Sequence, residues 1–184
     1  MLMISLTIKN KLREAVREKR TLKESRGIFI IDDVTVAKRY WKKKRPQTDF
    51  KYGRLLHTNG VLVPRYYGIV KPDNRLVRNF YDYPLYHWYL VMERINGIAF
   101  KDIKEGDMEL FTSLHRSQID KALALEIRPK KLIDFNESMF NREKGLVYLV
   151  NFGSWQNGVV GNPEFSRENL DILYSQIRGE PGGI

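Results

Sequence analysis

The first half of the chain alternates short apolar runs with turn residues, a pattern that predicts β-strands. Residues 27–40, "GIFIIDDVTVAKRY", hold two apolar, β-branched runs about an acidic turn at Asp32–Asp33, which is typical of a β-hairpin. Residues 61–70 form a further strand-like run, and Trp88–Met92 is the strongest strand signal in the chain. We therefore expect an antiparallel sheet in this half of the molecule.

Apolar residues at helical spacing also occur in the first half. Residues 8–24 are typical of an amphipathic basic helix, and residues 50–60 of a short helix that ends at a glycine. Residues 42–49 are polar and contain a proline, so we expect a connecting segment there. The predicted sheet is thus accompanied by at least one helix.

The second half of the chain is dominated by helical spacing. Residues 107–127 repeat apolar positions at helical intervals, and residues 166–179 are typical of a last helix with a serine cap and a glycine stop. This order, with strands first and helices later, predicts an α+β fold with two lobes and a hinge near residues 94–98.

The composition fits one folded domain in a reducing compartment. A chain of 184 residues with 42% apolar residues can bury a core, and we expect a single domain with lobes at residues 1–94 and 95–184. The absence of cysteine excludes disulfides, thiolate zinc sites and cysteine nucleophiles. No apolar run approaches the roughly 18–20 residues of a membrane span, so a cytoplasmic protein without membrane contact is expected.

Positive charge is concentrated in the first half of the chain. Residues 1–100 hold 21 Lys and Arg against 9 Asp and Glu, whereas residues 101–184 hold 11 against 13. The stretch 38–45, "KRYWKKKR", has six cations in eight positions, and aromatic residues are frequent over 65–89. This pattern suits either contact with RNA or another polyanion or a solvated charged face. The polyanion contacts would be made by Lys42, Lys43, Lys44 and Arg45.

Three separated residues have the order that phosphoryl transfer requires. A phosphotransferase needs a lysine for the nucleotide phosphates, an oxygen ligand for magnesium, and a carboxylate near the acceptor hydroxyl. Lys38 ends the strand "VTVAK", Asp134 lies in the segment "LIDFNESMF", and Asn151 follows the strand "LVYLV". Each has a plainer interpretation as well: a surface lysine, a turn or cap residue, and a strand-exit turn.

Taken together, these segments resemble a small, divergent protein-kinase-like domain, similar to the RIO-type kinases and the kinase subunit of the KEOPS complex. The resemblance covers about residues 20–178 and implies a two-lobed fold. Its first lobe would be an antiparallel sheet with a helix, and its second lobe a reduced, mostly helical one. The segments that carry it are "VTVAKRY", "GVLVPRYYGIV", "YLVMERINGIAF", "ELFTSLH", "LIDFNESMF" and "VYLVNFG".

The resemblance implies ATP and Mg²⁺ as cofactors. By this comparison Asp134 would orient the acceptor hydroxyl, and Asn151 would stand at the metal-binding position. The nucleotide would lie between the two lobes, with adenine at the backbone of residues 93–95. The residues that the resemblance assigns to nucleotide binding are Gly27, Lys38, Glu93, Ile95 and Asn151.

Four positions depart from the kinase pattern. Leu132 replaces the histidine of the catalytic loop, Met139 the magnesium-binding asparagine, and Asn151 the metal aspartate. The helix glutamate that would pair with Lys38 should fall near residue 51, where the sequence reads Lys51-Tyr52-Gly53. An uncharged amide and a soft thioether are poor magnesium ligands. The oxygen donors that could replace them in this loop are Asn136, Glu137 and Asn141.

These losses predict a degenerate kinase, or pseudokinase, that acts as an ATP-binding, regulatory or scaffold module with a protein partner. Two alternatives stay open. One is an active small atypical Ser/Thr kinase that transfers the γ-phosphoryl group of ATP. The other is a basic nucleic-acid-binding protein that needs no nucleotide.

Overall fold

The structure is a computed structural model that describes residues 4–22, 25–71, 87–129, 135–152, 155–157 and 167–177. The chain divides into two compact units. The first comprises Met1–Arg54 with Pro64–Arg94, and the second comprises Leu55–Val63 with Ile95–Ile184. None of the helices in the described ranges has the length and apolar character needed to cross a membrane.

The first unit is built on a five-stranded antiparallel sheet of order β1-β2-β3-β5-β4. The strands are β1 (Thr21–Leu22), β2 (Ser25–Asp32), β3 (Thr35–Tyr40), β4 (Tyr66–Val70) and β5 (Trp88–Glu93). Helix α1 (Leu6–Arg17) precedes the sheet, and helix α2 (Lys44–Thr58) follows β3. The predicted hairpin at residues 27–40 is confirmed, since β2 and β3 pair about a two-residue turn.

Helix α1 is shorter than the sequence predicts. Ser5 caps it by accepting a hydrogen bond from the Ile8 amide, and Leu12 and Ala15 are buried in the apolar cluster beneath the helix. The predicted helix over residues 8–24 is wrong beyond Arg17, because residues 21–22 join the sheet edge as β1. Pairing with β2 satisfies the backbone groups that a longer helix would have used.

Helix α2 is longer than the sequence predicts. The prediction of a connecting segment over residues 42–49 is wrong from Lys44 onward, where the helix already begins. Pro46 lies in the first turn, and a proline there removes no intrahelical hydrogen bond. The predicted helix end is confirmed: α2 stops at Thr58, and Gly60 follows with a φ of +77°.

Within its described residues, the second unit contains two helices and two small antiparallel sheets, of order β6-β8-β9 and β7-β10. Short 3₁₀ turns lie at Phe100–Asp102 and Phe135–Glu137. The other elements, in chain order, are β6 (Ile98–Ala99), α3 (Glu105–Ala124), β7 (Ile127–Pro129), β8 (Ser138–Asn141), β9 (Leu146–Leu149), β10 (Trp155–Asn157) and α4 (Arg167–Ile177). The predicted α+β class, with an amino-terminal antiparallel sheet and later helices, is confirmed.

Helices α3 and α4 share an aromatic core. His115 on α3 is fully buried, and its Nδ1 lies 2.7 Å from the hydroxyl of Tyr174 on α4. Phe111 and Phe135 pack their rings against the imidazole at centroid distances of 5.5 and 4.9 Å. His115 is therefore a packing residue of this core.

Candidate functional site

Lys38 lies on the central part of the first unit's sheet. Its neighbours are Ile28 on β2 and Leu90 on β5, so the backbone of β3 is held from both sides at this point. The side chain is only 25% exposed. Because β3 is paired on both sides, the backbone at Lys38 is held in place. A residue that positions a ligand needs such a fixed backbone.

The structure provides an acidic partner for this lysine. Lys38 Nζ lies 3.8 Å from Oδ2 of Asp49, and the Asp49 side chain is 1% exposed. The prediction that the helix partner of Lys38 should fall near residue 51, and is missing there, is therefore wrong. Because α2 begins at Lys44 rather than near residue 50, Asp49 lies within the helix and not in the segment before it.

Two tyrosines complete the surroundings of Asp49. The Tyr40 hydroxyl donates a hydrogen bond to Asp49 Oδ2, and Tyr66 is buried nearby. Burial raises the pKa of Asp49, while Lys38 and the hydrogen bond from Tyr40 act in the opposite direction. Burial and the Asp49 charge both raise the pKa of Tyr40 and of Tyr66, so both hydroxyls stay protonated donors. Asp49 Oδ1 is buried without a hydrogen-bond partner in the described ranges.

Sequence reasoning missed Asp49, although the sequence contains a signal for it. Asp49 is the only acidic residue between Val34 and Pro72. Asp49 is a lone carboxylate in a basic stretch, and it lies on the helix that follows β3. Such a carboxylate is the expected partner of Lys38. The signal was hidden because Pro46 made the start of α2 look like a loop.

Asn151 is bonded to Glu137 within the second unit. Its Nδ2 donates to Glu137 Oε1 at 2.5 Å, and the Val150 amide donates to the Glu137 carbonyl at 2.8 Å. Asn151 has a φ of +70°, the left-handed conformation that asparagine tolerates better than most residues. A backbone bond to Val150 and a side-chain bond to Asn151 thus hold Glu137 against the segment that follows β9.

The position that faces Asn151 is Glu137 and not Met139. Met139 pairs with Tyr148, which lies three residues before Asn151. Glu137 immediately precedes β8, at the end of the ladder where the chain leaves β9 toward Asn151. The position five residues after Asp134 is therefore Met139, a strand residue, and not Glu137, the residue that contacts Asn151. Of the other two oxygen donors considered, Asn141 accepts a hydrogen bond from the Lys144 amide and so closes the β8–β9 turn.

The donor set at this place fits a hard cation. Glu137 supplies a carboxylate and Asn151 an amide oxygen, and both are ligand types that Mg²⁺ and Ca²⁺ accept. One carboxylate and one amide are also the pair that kinases use for magnesium, with the acidic residue after the strand and the amide in the loop. Glu137 and Asn151 place the same two chemical types side by side. The described residues contain no cluster of three or more His, Cys, Asp or Glu of the kind that could hold a metal.

The remaining predicted residues are distributed as follows. Gly27 lies within β2, and Glu93 ends β5, where its carboxylate and amide both bond the backbone of Arg65. Ile95 is half-buried and belongs to the second unit. Asp134 lies outside the described residues, as does Leu132.

Comparison with solved structures gives the class of fold. No protein-family model and no curated protein matches the chain. The structure is similar to solved protein-kinase structures at low sequence identity, so the chain has a protein-kinase-like fold. The finer resemblance to RIO-type and KEOPS kinases stays a prediction.

Two of these structures illustrate the likeness. One is PK-1, the kinase of Cydia pomonella granulovirus, with a TM-score of 0.57 and 12% identity over 92% of this chain and 71% of that one. The other is WbdD, with a TM-score of 0.55 and 14% identity over 83% of this chain. The chain spans 34% of the length of WbdD.

Proposed function

We propose that the chain is a protein-kinase-like protein that binds a nucleoside triphosphate and acts as a regulatory or scaffold module. The observation that carries this proposal is the pair between Lys38 and the buried carboxylate of Asp49. In protein kinases a lysine on the third strand contacts the nucleotide phosphates, and an ion pair to a helix carboxylate holds it in place.

The burial of Asp49 favours this role over that of a surface lysine. A surface ion pair contributes little and leaves both groups mobile. Asp49 is held by α2 and by the Tyr40 hydroxyl, so Lys38 approaches a carboxylate of fixed position. With a quarter of its side chain still exposed, Lys38 keeps access to a ligand.

Glu137 and Asn151 would hold the divalent cation of a metal–nucleotide complex. When bound, such a cation neutralises phosphate charge. Before any cation arrives, Asn151 fixes the Glu137 carboxylate by the hydrogen bond between them. Because the pair carries one negative charge, it keeps the formal charge of the kinase pair, which favours retained cation binding over its loss.

Nucleotide-linked stability tests this proposal. We expect Mg-ATP at about one hundred times its Kd to stabilise the protein by about 2.7 kcal/mol, which raises the Tm by roughly 5–10 °C. Lys38→Met should abolish the shift, whereas Lys9→Met, on the exposed face of α1, should leave it unchanged. No shift with ATP under any divalent cation would contradict nucleotide binding.

Phosphoryl transfer by the same site is a second candidate function, and the retained charge of the Glu137–Asn151 pair favours it. Asp134 would then orient the acceptor hydroxyl. Appearance of the labelled γ-phosphoryl group on a protein hydroxyl with release of ADP from Mg-ATP, lost in Asp134→Asn but not in the exposed helix variant Asp120→Asn, would support transfer. A protein that binds Mg-ATP and releases no product would be a regulatory module alone.

A further inference from the structure

An exposed tryptophan stands within the most basic stretch of the chain. Trp41 is 62% exposed and is the only aromatic residue among the exposed large apolar side chains of the described ranges. It lies between the end of β3 and the start of α2. The stretch 38–45 around it contains six cations and no carboxylate.

Cations and rings alternate around this tryptophan. The Arg39 guanidinium lies 5.7 Å from the Trp41 ring centroid, and the His87 ring meets Trp41 edge-on at 4.7 Å. Lys43 Nζ lies 5.4 Å from the ring centroid of Trp88, which pairs with Tyr40 across β3 and β5. We call this surface the Trp41 patch; it consists of Arg39, Trp41, Lys42, Lys43, His87 and Trp88.

The charge of the patch comes from its arginine and lysines. Burial and the neighbouring Arg39 lower the pKa of His87, so its imidazole is neutral near pH 7. Lys42 and Lys43 are exposed, as are Lys44 and Arg45 in the first turn of α2. The helix amino terminus adds its partial positive charge to the same place.

We propose that the Trp41 patch binds single-stranded nucleic acid, with a base stacked on Trp41 and the adjacent phosphates at Lys42 and Lys43. Proteins that bind single strands combine aromatic platforms for the bases with cations that follow the backbone. A duplex hides the faces of its bases, so a stacking surface selects an unpaired strand. The proposal uses neither Lys38 nor the Glu137–Asn151 pair and is independent of nucleotide binding.

Binding of a labelled twelve-nucleotide oligouridylate, followed by fluorescence anisotropy without nucleotide, tests the proposal. Trp41→Ala should raise the Kd about tenfold, the expected loss of one stacked base. Trp41→Phe keeps an aromatic face and should retain most of the affinity. Because Trp41 is exposed, neither change should lower the Tm.

Charge removal at two places separates this patch from general polyanion attraction. The triple change Lys42→Gln, Lys43→Gln and Lys44→Gln should weaken binding and reduce the slope of log K against log salt by about two. The matched triple Lys9→Gln, Arg13→Gln and Arg17→Gln, on α1, removes the same charge and should change the slope much less.

Three outcomes would overturn the proposal. They are an unchanged Kd for Trp41→Ala, an equal loss in both charge triples, and tighter Trp41-dependent binding of oligoglutamate than of the oligonucleotide. The last result would assign the patch to an acidic protein. An oligodeoxythymidylate of equal length shows whether the patch distinguishes RNA from DNA, and binding to either strand supports the proposal.

Discussion

At the scale of single residues, the pairing of a carboxylate with an amide, Glu137 with Asn151, is the most informative feature of the second unit. Judged by sequence alone, Asn151 looks like the loss of a metal ligand, since an amide has no net charge. In the structure its amide group donates a hydrogen bond to the Glu137 carboxylate, so the two positions together provide one carboxylate and one amide. The two positions therefore have to be changed and tested together.

A double-mutant cycle at this pair gives a sharp expectation. Glu137→Asn removes the only formal charge of the pair and should weaken Mg-ATP binding at least tenfold. Asn151→Asp alone sets two carboxylates in contact, so it should lower stability without cation by about 1–3 kcal/mol while strengthening cation binding. The double variant restores one carboxylate and one amide and should recover both properties. The thermal shift is measured as a function of Mg²⁺ concentration for the parent, the two single variants and the double variant. Additive effects of the two single changes would contradict a shared site.

Asp49 should separate stability from nucleotide affinity. Burial already raises its pKa, which means that the fold holds the charged carboxylate at some cost. Asp49→Asn keeps the size and an acceptor for Tyr40, so the free energy of unfolding should change by less than about 1 kcal/mol. Without the charge, Lys38 loses its ion pair with residue 49, and the Kd for Mg-ATP should rise about tenfold. Asp120→Asn, on the exposed face of α3, is the matched control and should change neither quantity.

At the scale of elements, the position of Asp49 depends on how closely α2 approaches β4. A Cβ placed on Gly53 would stand 2.2 Å from Tyr66 Cε2, so only glycine permits this contact. Gly53 lies one helical turn after Asp49 and on the same side of α2. The glycine thus helps to set the distance between the helix carboxylate and the sheet that carries Lys38.

Alanine at two helical glycines should have effects of opposite sign. Gly53→Ala gains helix propensity but overpacks Tyr66, and it should destabilise by about 1–3 kcal/mol. Gly106→Ala, in the first turn of α3, meets no atom within 4 Å and should stabilise by about 0.5 kcal/mol. Urea unfolding of both variants provides the comparison, and a neutral or stabilising Gly53→Ala would show that α2 can move away from β4 without loss.

The contact between α3 and α4 predicts a pH dependence. Burial lowers the pKa of His115 to about 3, well below its ordinary value of 6.5. Between these values the unfolded chain binds a proton that the folded protein does not, so stability is complete above about pH 6.5 and falls as the pH decreases. The slope for this one group is at most about 1.4 kcal/mol per pH unit.

Removing both polar groups of this contact should flatten the dependence. The double variant His115→Phe with Tyr174→Phe leaves neither group unpaired in the core. Urea unfolding at pH 7.0, 5.5 and 4.5 should show a smaller loss for the variant than for the parent. His57 and His87 remain as a common background, and an unchanged slope would mean that His115 is not the group responsible.

Periodicity in the sequence predicts most elements correctly and fails where tertiary contacts decide. The hairpin of β2 and β3, strand β5 and the end of α2 follow from local signals that the tertiary structure leaves intact. The ends of α1 and the start of α2 do not. Strand pairing takes residues 21–22 away from the first helix, and Pro46 resembles a helix breaker until its place in a first turn is known.

At the scale of the whole molecule, the candidate site shows the same division between what sequence order can and cannot give. Lys38 and Asn151 were predicted from the strands that precede or carry them, although Lys38 lies within β3 and not at its end as predicted. Asp49 was not predicted, because its place depends on where α2 starts. Glu137 was one of three candidate oxygen donors in its loop, and only its hydrogen bond to Asn151 and the register of β8 with β9 single it out. Sequence order therefore does not give the contact partners, which are Asp49 for Lys38 and Glu137 for Asn151.

The uneven charge of the molecule gives a last prediction, which concerns stability. The net charge of +10 is the sum of +12 in residues 1–100 and −2 in residues 101–184, so folding brings like charges together in the first half. The triple change Lys42→Gln, Lys43→Gln and Lys44→Gln should therefore raise the free energy of unfolding by about 0.5–1 kcal/mol at low salt, with the gain lost near 0.5 M salt.

The α1 triple Lys9→Gln, Arg13→Gln and Arg17→Gln is the matched control for this measurement. Arg17 lies near Glu14 and Glu18, so that triple removes attraction as well as repulsion and should gain less. Urea unfolding across salt concentrations measures both variants. If replacing Lys42, Lys43 and Lys44 stabilises the protein, these lysines lower the stability of the native fold. Such a cost is expected of residues kept for binding a polyanion. A destabilising one would instead assign these lysines to the fold.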